Sequence, residues 1–137
     1  MDFSSVNWLA VVVCVVFSMV SGFIWYHQKV FFPAWWRGIG KSEGDMNTMA
    51  AGPMTWVLTV IAAFVQAVFV SILLSVMGSS KVAAGAQAGF MIWLGFVAPT
   101  NLVNKLFAGH GLKVWAIEAG NHLVNFLAFG TIIAALG

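Results

Sequence analysis

Residues 54–77 read MTWVLTVIAAFVQAVFVSILLSVM and contain no charged side chain. A helix of about 20 mostly apolar residues is long enough to cross the hydrocarbon core of a bilayer. The uncharged segment therefore predicts a membrane span. The rest of the chain has to be interpreted with lipid, and not water alone, as a solvent.

The composition of the whole chain supports a membrane protein. Of its 137 residues 61% are hydrophobic and 7% are charged, and the mean hydropathy is +0.96. Soluble domains carry about 25% charged residues, so this chain has too few to cover a water-facing surface. Three further segments are long enough to span, at 6–30, 82–107 and 112–136. We predict an all-α fold, an integral membrane four-helix bundle forming a single membrane domain over 1–137.

Charge and cysteine content exclude several classes of function. The formal net charge of +2 comes from six basic and four acidic residues. This surplus is too small and too scattered for a nucleic-acid-binding face. Cys14 is the single cysteine, so an intrachain disulfide and a thiolate metal cluster are both excluded. The sequence identifies no cofactor.

The basic residues predict an orientation. Those that flank the connections between helices one and two or three and four are Lys29, Arg37, Lys41, Lys105 and Lys113. Lys81 lies on the opposite side. Cytoplasmic loops of membrane proteins are enriched in Lys and Arg. We therefore expect the loops at 31–53 and 107–112 to be cytoplasmic and both termini to lie outside.

The connection at 31–53 has room for structure of its own. It begins FFPAWWRGIG, in which aromatic residues recur at helical spacing. Pro33 suits a first helical turn, and the following glycines end the pattern. This segment predicts a short amphipathic helix lying in the membrane interface, with Trp35, Trp36 and Arg37 as its anchors.

The third span carries two local features. Gly85 and Gly89 are four residues apart, and small residues at this spacing let helices approach closely in lipid. The spacing predicts a helix contact, either within one chain or between chains. Pro99 lies later in the same span and predicts a kink, because proline has no backbone N–H to donate.

A polar stripe runs along the fourth span, which reads EAGNHLVN at 118–125. The polar side chains at positions 118, 121, 122 and 125 share one helical face. This face must point toward protein, because lipid offers no hydrogen-bond partners. Asn101 and Asn104 of the third span lie at a depth comparable to that of Glu118, and Tyr26 and His27 of the first span approach the same depth. Gln66 lies near the middle of the second span. The candidate ligand-binding residues are Glu118, His122, Asn101, Asn104, Asn121, Asn125 and His27.

A structural interpretation of the stripe stands beside this functional one. Asparagines in membrane helices usually form interhelical hydrogen bonds, each worth about 0.6 kcal/mol. Glu118 could form an ion pair with Lys105, Lys113 or Arg37. However, ionisable residues inside a membrane are by default a hypothesis of function, which favours Glu118 and His122. No spacing typical of a metal site accompanies them, and no serine or cysteine nucleophile does, so we predict neither a metal site nor a catalytic residue.

Several motifs together resemble a known family. They are NWLAV at 7–11, WY at 25–26, WLGFVAPTNLVNKLF at 93–107 and LKVWAIEAGNHLV at 112–124. The chain resembles a family of small bacterial membrane proteins catalogued as a domain of unknown function, number seventeen-sixty-one. The resemblance implies a four-helix topology in a bacterial inner membrane. The family more usually has Asn at the position of Glu118 and Tyr at that of Asn121, and the resemblance implies no activity.

Three functions remain open at this point. The first is an oligomeric bundle that binds or passes a small ligand, a proton or a cation through the polar intramembrane site. The second is an accessory or structural subunit of a larger membrane complex. The third is a membrane enzyme acting on a lipidic substrate, for which no catalytic constellation is visible. The expected partners are the lipid bilayer and either further copies of the chain or a larger membrane complex.

Overall fold

The computed structural model describes residues 3–41, 53–78 and 81–137. Residues 42–52 of the connection predicted at 31–53 therefore lie outside the described residues. Within these ranges the chain forms helices and no β-strand. A 3-10 turn at Phe3–Ser5 precedes the first helix, and a π-helical turn at Trp93–Val97 links α4 to α5. The helices are α1 (Trp8–Trp25), α2 (Phe32–Gly38), α3 (Pro53–Met77), α4 (Val82–Ile92), α5 (Ala98–Phe107) and α6 (Gly111–Leu136).

Four helices of the described chain are long and apolar enough to cross a membrane. They are α1, α3, the continuous Val82–Phe107 and α6. Large apolar side chains cover their outer surfaces; Leu9 and Phe96, for example, are 67% and 75% exposed. Water would disfavour such a surface, whereas a bilayer would solvate it. The predicted all-α membrane bundle is confirmed.

The first helix is shorter than its apolar pattern predicts. It ends at Trp25, whereas the pattern continues to residue 30. Beyond Tyr26 the backbone forms turns, in which the N–H of Phe31 donates to the carbonyl of Trp25 and that of Val30 to the carbonyl of His27. The turns redirect the chain into α2, which begins with Pro33 in its first turn.

The third span changes its hydrogen bonding just before Pro99. The π-helical turn Trp93–Val97 stands where the missing N–H of Pro99 leaves the α-helical pattern incomplete. The structure thus has a π-helical turn beside Pro99, and the kink stays a prediction. A carbonyl at the same place, that of Ala98, accepts a hydrogen bond of 3.0 Å from the Trp115 indole.

Helix α6 is the central element of the bundle, because it packs against every other described α-helix. It runs antiparallel to α1, and two hydrogen bonds fix the pair at their ends. Asn7 donates to the carbonyl of Leu136 at 2.8 Å, and the Trp25 indole donates to the carbonyl of Ile117 at 2.7 Å. The start of α1 therefore lies beside the end of α6.

Helices α4 and α6 approach each other closely at glycines. A Cβ atom added to Gly85 would overlap the carbonyl oxygen of Gly130, and one added to Gly89 would overlap that of Phe126. Close backbone approach through small residues is a common way for helices to associate in lipid. In the structure this contact is made within one chain.

The hydrophobic core fills one half of the bundle. It consists of the first half of α1, the second half of α3 and the second half of α6, where Val11, Cys14, Ile72 and Phe129 are fully buried or nearly so. The opposite half, which holds the end of α1 and the beginning of α3, contributes few residues to this cluster. The candidate site lies in that less densely packed half.

Candidate functional site

Helix α2 packs against α6, so its aromatic residues face protein. Phe32 and Trp36 are buried, and a Cβ added to Gly38 would overlap Val114. Gly40, with a φ of 89°, adopts the left-handed backbone conformation that ends this segment. Of the three predicted interface anchors, Trp36 is 5% exposed, Trp35 is half-buried and Arg37 is exposed. The tryptophans thus attach α2 to the bundle, and only part of its surface is available to the membrane interface.

Trp35 takes part in a polar cluster around Glu118. Its indole nitrogen donates to Glu118 Oε2 at 2.8 Å, and Lys105 Nζ lies 3.1 Å from the same oxygen. Asn101 Nδ2 donates to Glu118 Oε1 at 3.2 Å. We call these four residues the Glu118 clasp. Of the three cations that the sequence allowed as partners, Lys105 is the one that pairs with Glu118 in the structure.

The Glu118 clasp joins three helices through a neutralised carboxylate. Trp35 comes from α2, whereas Asn101 and Lys105 come from α5. The side chains of Glu118 and Lys105 are 13% and 21% exposed, so the pair is partly shielded from solvent. A carboxylate with a cation and two further donors has most of its acceptor positions occupied.

Tryptophans hold the same region of α6 on its other sides. The Trp25 indole donates to the carbonyl of Ile117, and the Trp93 indole donates to that of Ala119 at 2.9 Å. These bonds attach the end of α1 and the π-helical turn to the residues on either side of Glu118. Sequence reasoning missed them. The signal available in the sequence was the recurrence of tryptophans at one depth of the bundle.

A cleft of about 800 Å³ lies beside the clasp, between α1, α3 and α6. Residues of α2 close one end of it. We call it the α1–α3 cleft. Its lining residues are Ser18, Met19, Gly22, Phe23, Tyr26, Gln28, Phe32, Trp35, Thr55, Trp56, Thr59, Ala62, Ala63, Gln66, Asn121, His122 and Asn125.

The floor of the cleft is polar. Asn121 and Asn125 of α6 are 7% and 8% exposed. Asn121 Nδ2 donates to Ser21 Oγ at 3.0 Å, whereas Asn125 Oδ1 is buried without a hydrogen-bond partner. The side chains of His122 and Gln66 are half-buried and make no hydrogen bond within the described part of the chain. The floor therefore offers unused hydrogen-bonding groups.

The walls and rim of the cleft are aromatic. Phe23 and Trp56 are exposed at the rim, and their rings stack with centroids 5.3 Å apart. Tyr26 and Trp35 meet edge to face at 5.4 Å near the end that α2 closes. A polar floor under aromatic walls is typical of sites for small amphipathic molecules.

The structure separates the predicted site residues into three groups. Asn121, His122 and Asn125 line the cleft. Glu118 and Asn101 form the clasp beside it. Asn104 and His27 belong to neither group.

The last two residues do not line the cleft. Asn104 is exposed on α5, and His27 is exposed in the turn after α1, where its Nδ1 accepts from the N–H of Lys29 at 3.1 Å. No three His, Cys, Asp or Glu residues of the described ranges converge in a way that could hold a metal ion. The sequence did not single out Phe23, Trp56 or Thr59 as lining residues.

The fold and the cleft define an all-α membrane bundle with a polar-floored cavity between its helices. The chain belongs to the family described as "Protein of unknown function (DUF1761)", whose sequence model matches residues 9–134. This match confirms the family that the motifs of the third and fourth spans indicated. No curated protein and no solved structure matches the chain significantly.

Proposed function

We propose that the protein is a membrane-embedded binding protein that holds one small ligand in the α1–α3 cleft. The observation that carries the proposal is a cleft of about 800 Å³ whose floor presents the buried, unpaired Asn125 Oδ1 beside the half-buried side chains of Gln66 and His122. Ligand sites commonly enclose about 300–1,000 Å³ and combine apolar walls with a few convergent polar groups.

The contrast between the two halves of the bundle supports this proposal. One half is filled by a continuous apolar cluster, as expected for a protein interior. The other half leaves space between α1 and α3. A ligand in this space would supply packing contacts to the side chains that line it. An apolar lipid tail alone would leave the amide oxygen of Asn125 without a donor.

The Glu118 clasp favours binding over the passage of protons or cations. Glu118 is not among the residues that line the cleft, and its carboxylate already has Lys105, Trp35 and Asn101 as partners. A carboxylate that carries protons or cations needs access to them and a free coordination position. The clasp is therefore best explained as a support that fixes α2 and α5 beside the cleft.

We also propose an orientation for the site. The end of the bundle that includes α2 and the beginning of α6 carries Lys29, Lys41 and Lys113, whereas Lys81 lies at the opposite end. The positive-inside rule then places α2 at the cytoplasmic surface and both termini outside. In this orientation the cleft occupies the cytoplasmic half of the membrane.

Filling the cleft provides the test. Gly22 lines the cleft, and a Cβ added to it meets no atom within 4 Å, so we expect the Gly22→Leu side chain to occupy part of the cleft. Gly95→Leu is the matched control, because Gly95 is also helical with open space around it but does not line the cleft. Replacing a helical glycine favours the helix in both variants.

The measurement is the amount of small molecule that co-purifies with each protein from its native membranes. Native mass spectrometry and solvent extraction should find a bound molecule in the wild type and in Gly95→Leu. Gly22→Leu should lose most of it while keeping its helical circular dichroism. A molecule retained equally by Gly22→Leu, or found in none of the three proteins, would contradict the proposal.

A further inference from the structure

The chemistry of the cleft narrows the class of ligand, and this step rests on the proposed function. We infer that the α1–α3 cleft binds an uncharged molecule that has a flat ring and a hydroxyl donor, a phenol or hydroquinone with an apolar tail. Three independent properties of the lining lead to this class. They are its charge, its unpaired hydrogen-bonding groups and its aromatic walls.

The described lining of the cleft disfavours a charged ligand. Among the described residues that line the cleft there is no Asp, Glu, Lys or Arg. In the described part of the chain the Glu118 clasp lies beside the cleft, and its carboxylate and the ammonium of Lys105 neutralise each other at 3.1 Å. An ion buried in the membrane without a counter-charge is strongly disfavoured. A cation or an anion would find no such partner among the described lining residues.

The floor requires a hydrogen-bond donor on the ligand. Asn125 Oδ1 is a buried acceptor without a partner, in a residue that is 8% exposed. Gln66 and His122 lie at the same floor, and a carboxamide or a neutral imidazole offers both a donor and an acceptor. A hydroxyl group matches such a floor, because it donates one hydrogen bond and accepts others. An ether or an ester carbonyl accepts only and would leave Asn125 unpaired.

The walls favour a ring over a linear chain. Phe23 and Trp56 stack at an interplanar angle of 20°, and Tyr26 meets Trp35 at 70°. Aromatic side chains interact best with other rings in offset-stacked or edge-to-face arrangements. Both arrangements are present at the cleft, so a flat ring finds matching surfaces. The exposed rim at Phe23 and Trp56 leaves room for an apolar tail to extend into lipid.

Four alkyl probes test separately whether the ligand needs a flat ring, a hydrogen-bond donor and the absence of charge. 4-Nonylphenol carries the ring and the donor, and 4-nonylanisole carries the same ring without a donor. 4-Nonylbenzoate adds a negative charge, and 1-dodecanol has the donor without a ring. Binding of each probe to the ligand-depleted protein in lipid nanodiscs is measured by calorimetry and by quenching of tryptophan fluorescence, because Trp35 and Trp56 line the cleft.

We expect 4-nonylphenol to bind about tenfold more tightly than each of the other probes, as loss of one buried hydrogen bond predicts for the anisole. Asn125→Leu should remove the preference of the phenol over the anisole. Asn104→Leu is the matched control, because Asn104 is an exposed amide outside the cleft. It should leave the preference unchanged. The comparison of probes on the wild type needs no variant, so it decides the inference even where Asn125→Leu fails to fold.

The outcomes separate this inference from the proposed function. Equal affinity for the phenol and the anisole would overturn the donor requirement. Tighter binding of the benzoate or of dodecanol, abolished by Gly22→Leu, would overturn the ligand class but leave the cleft as a binding site. Binding of no probe, together with no molecule co-purified from native membranes, would overturn both.

Discussion

The indole N–H of Trp35 donates a hydrogen bond of 2.8 Å to Glu118 Oε2 and so connects α2 to α6. This contact changes the interpretation of the polar stripe on α6. Glu118 appeared from the sequence to belong to one site with His122. In the structure its carboxylate holds neighbouring helices in place, and the unpaired polar groups lie farther along α6. The supporting contact and the proposed binding site therefore lie next to each other on α6.

Removal of the Glu118 carboxylate should destabilise the protein. Glu118→Leu leaves the ammonium of Lys105 and the indole N–H of Trp35 without their acceptor. Loss of one partner of a partly buried network costs about 1–3 kcal/mol. The free energy of unfolding in detergent, from denaturant titration, measures this effect.

A double variant provides the control for that prediction. Glu118→Leu combined with Lys105→Met removes both charges, so it should recover part of the lost stability. Glu118→Gln keeps an acceptor for Trp35 and should cost less than Glu118→Leu. If Glu118→Leu were as stable as the wild type, the clasp would not be a support.

The glycine contact between α4 and α6 should tolerate no added methyl group. Gly89→Ala would place its Cβ against the carbonyl oxygen of Phe126, and backbone cannot move aside as a flexible side chain can. We expect a loss of about 1–3 kcal/mol, the usual cost of overpacking. Gly95→Ala has open space and should be neutral or stabilising. Thermal unfolding of both variants in the same detergent tests this, and equal melting temperatures would show that the close approach is absent.

The two buried asparagines of the cleft floor should respond differently to the same substitution. Asn121→Leu breaks the hydrogen bond to Ser21, so the ligand-free protein should lose about 0.6 kcal/mol or more. Asn125→Leu removes an unpaired oxygen, so the ligand-free protein should be unchanged or more stable. Binding should nevertheless weaken in Asn125→Leu. Comparison of melting temperatures with and without ligand separates these effects. A large loss of ligand-free stability in Asn125→Leu would mean that its amide has a structural partner.

Labelling of introduced cysteines should report the orientation. The native Cys14 is buried, so its reaction with a membrane-impermeant maleimide should be slow. Lys81→Cys and Lys113→Cys place exposed thiols at opposite ends of the bundle. In intact cells we expect labelling of Lys81→Cys, and labelling of Lys113→Cys only after permeabilisation. The reverse pattern would contradict the orientation that the basic residues predict.

The fold was largely predictable because membrane helices leave a strong local signal. The uncharged run at 54–77 differs by one residue from α3, which is Pro53–Met77. The hydropathy of a sequence marks apolar helices but does not indicate where hydrogen-bonded turns replace them. For that reason it missed the end of α1 at Trp25, where the turns at Tyr26 to Phe31 take over from an apolar pattern that continues.

The candidate site was less predictable, because helical periodicity shows which face a residue occupies but not which neighbour it meets. Glu118 and Asn125 are two turns apart on nearly the same face of α6. Glu118 meets α2 and α5, whereas Asn125 meets the open space between α1 and α3. That space depends on how far two helices separate, which no single helix encodes. The roles of the lining residues in binding remain predictions.

A density map of the protein purified from its native membranes tests the central claim most directly. We predict non-protein density in the α1–α3 cleft, with a polar end near Asn125 and Gln66 and a flat body between Phe23 and Trp35. The Glu118 carboxylate should contact its three protein partners and not this density. A cleft closed by direct contact of α1 with α3, or filled by a helix of another chain, would contradict the account.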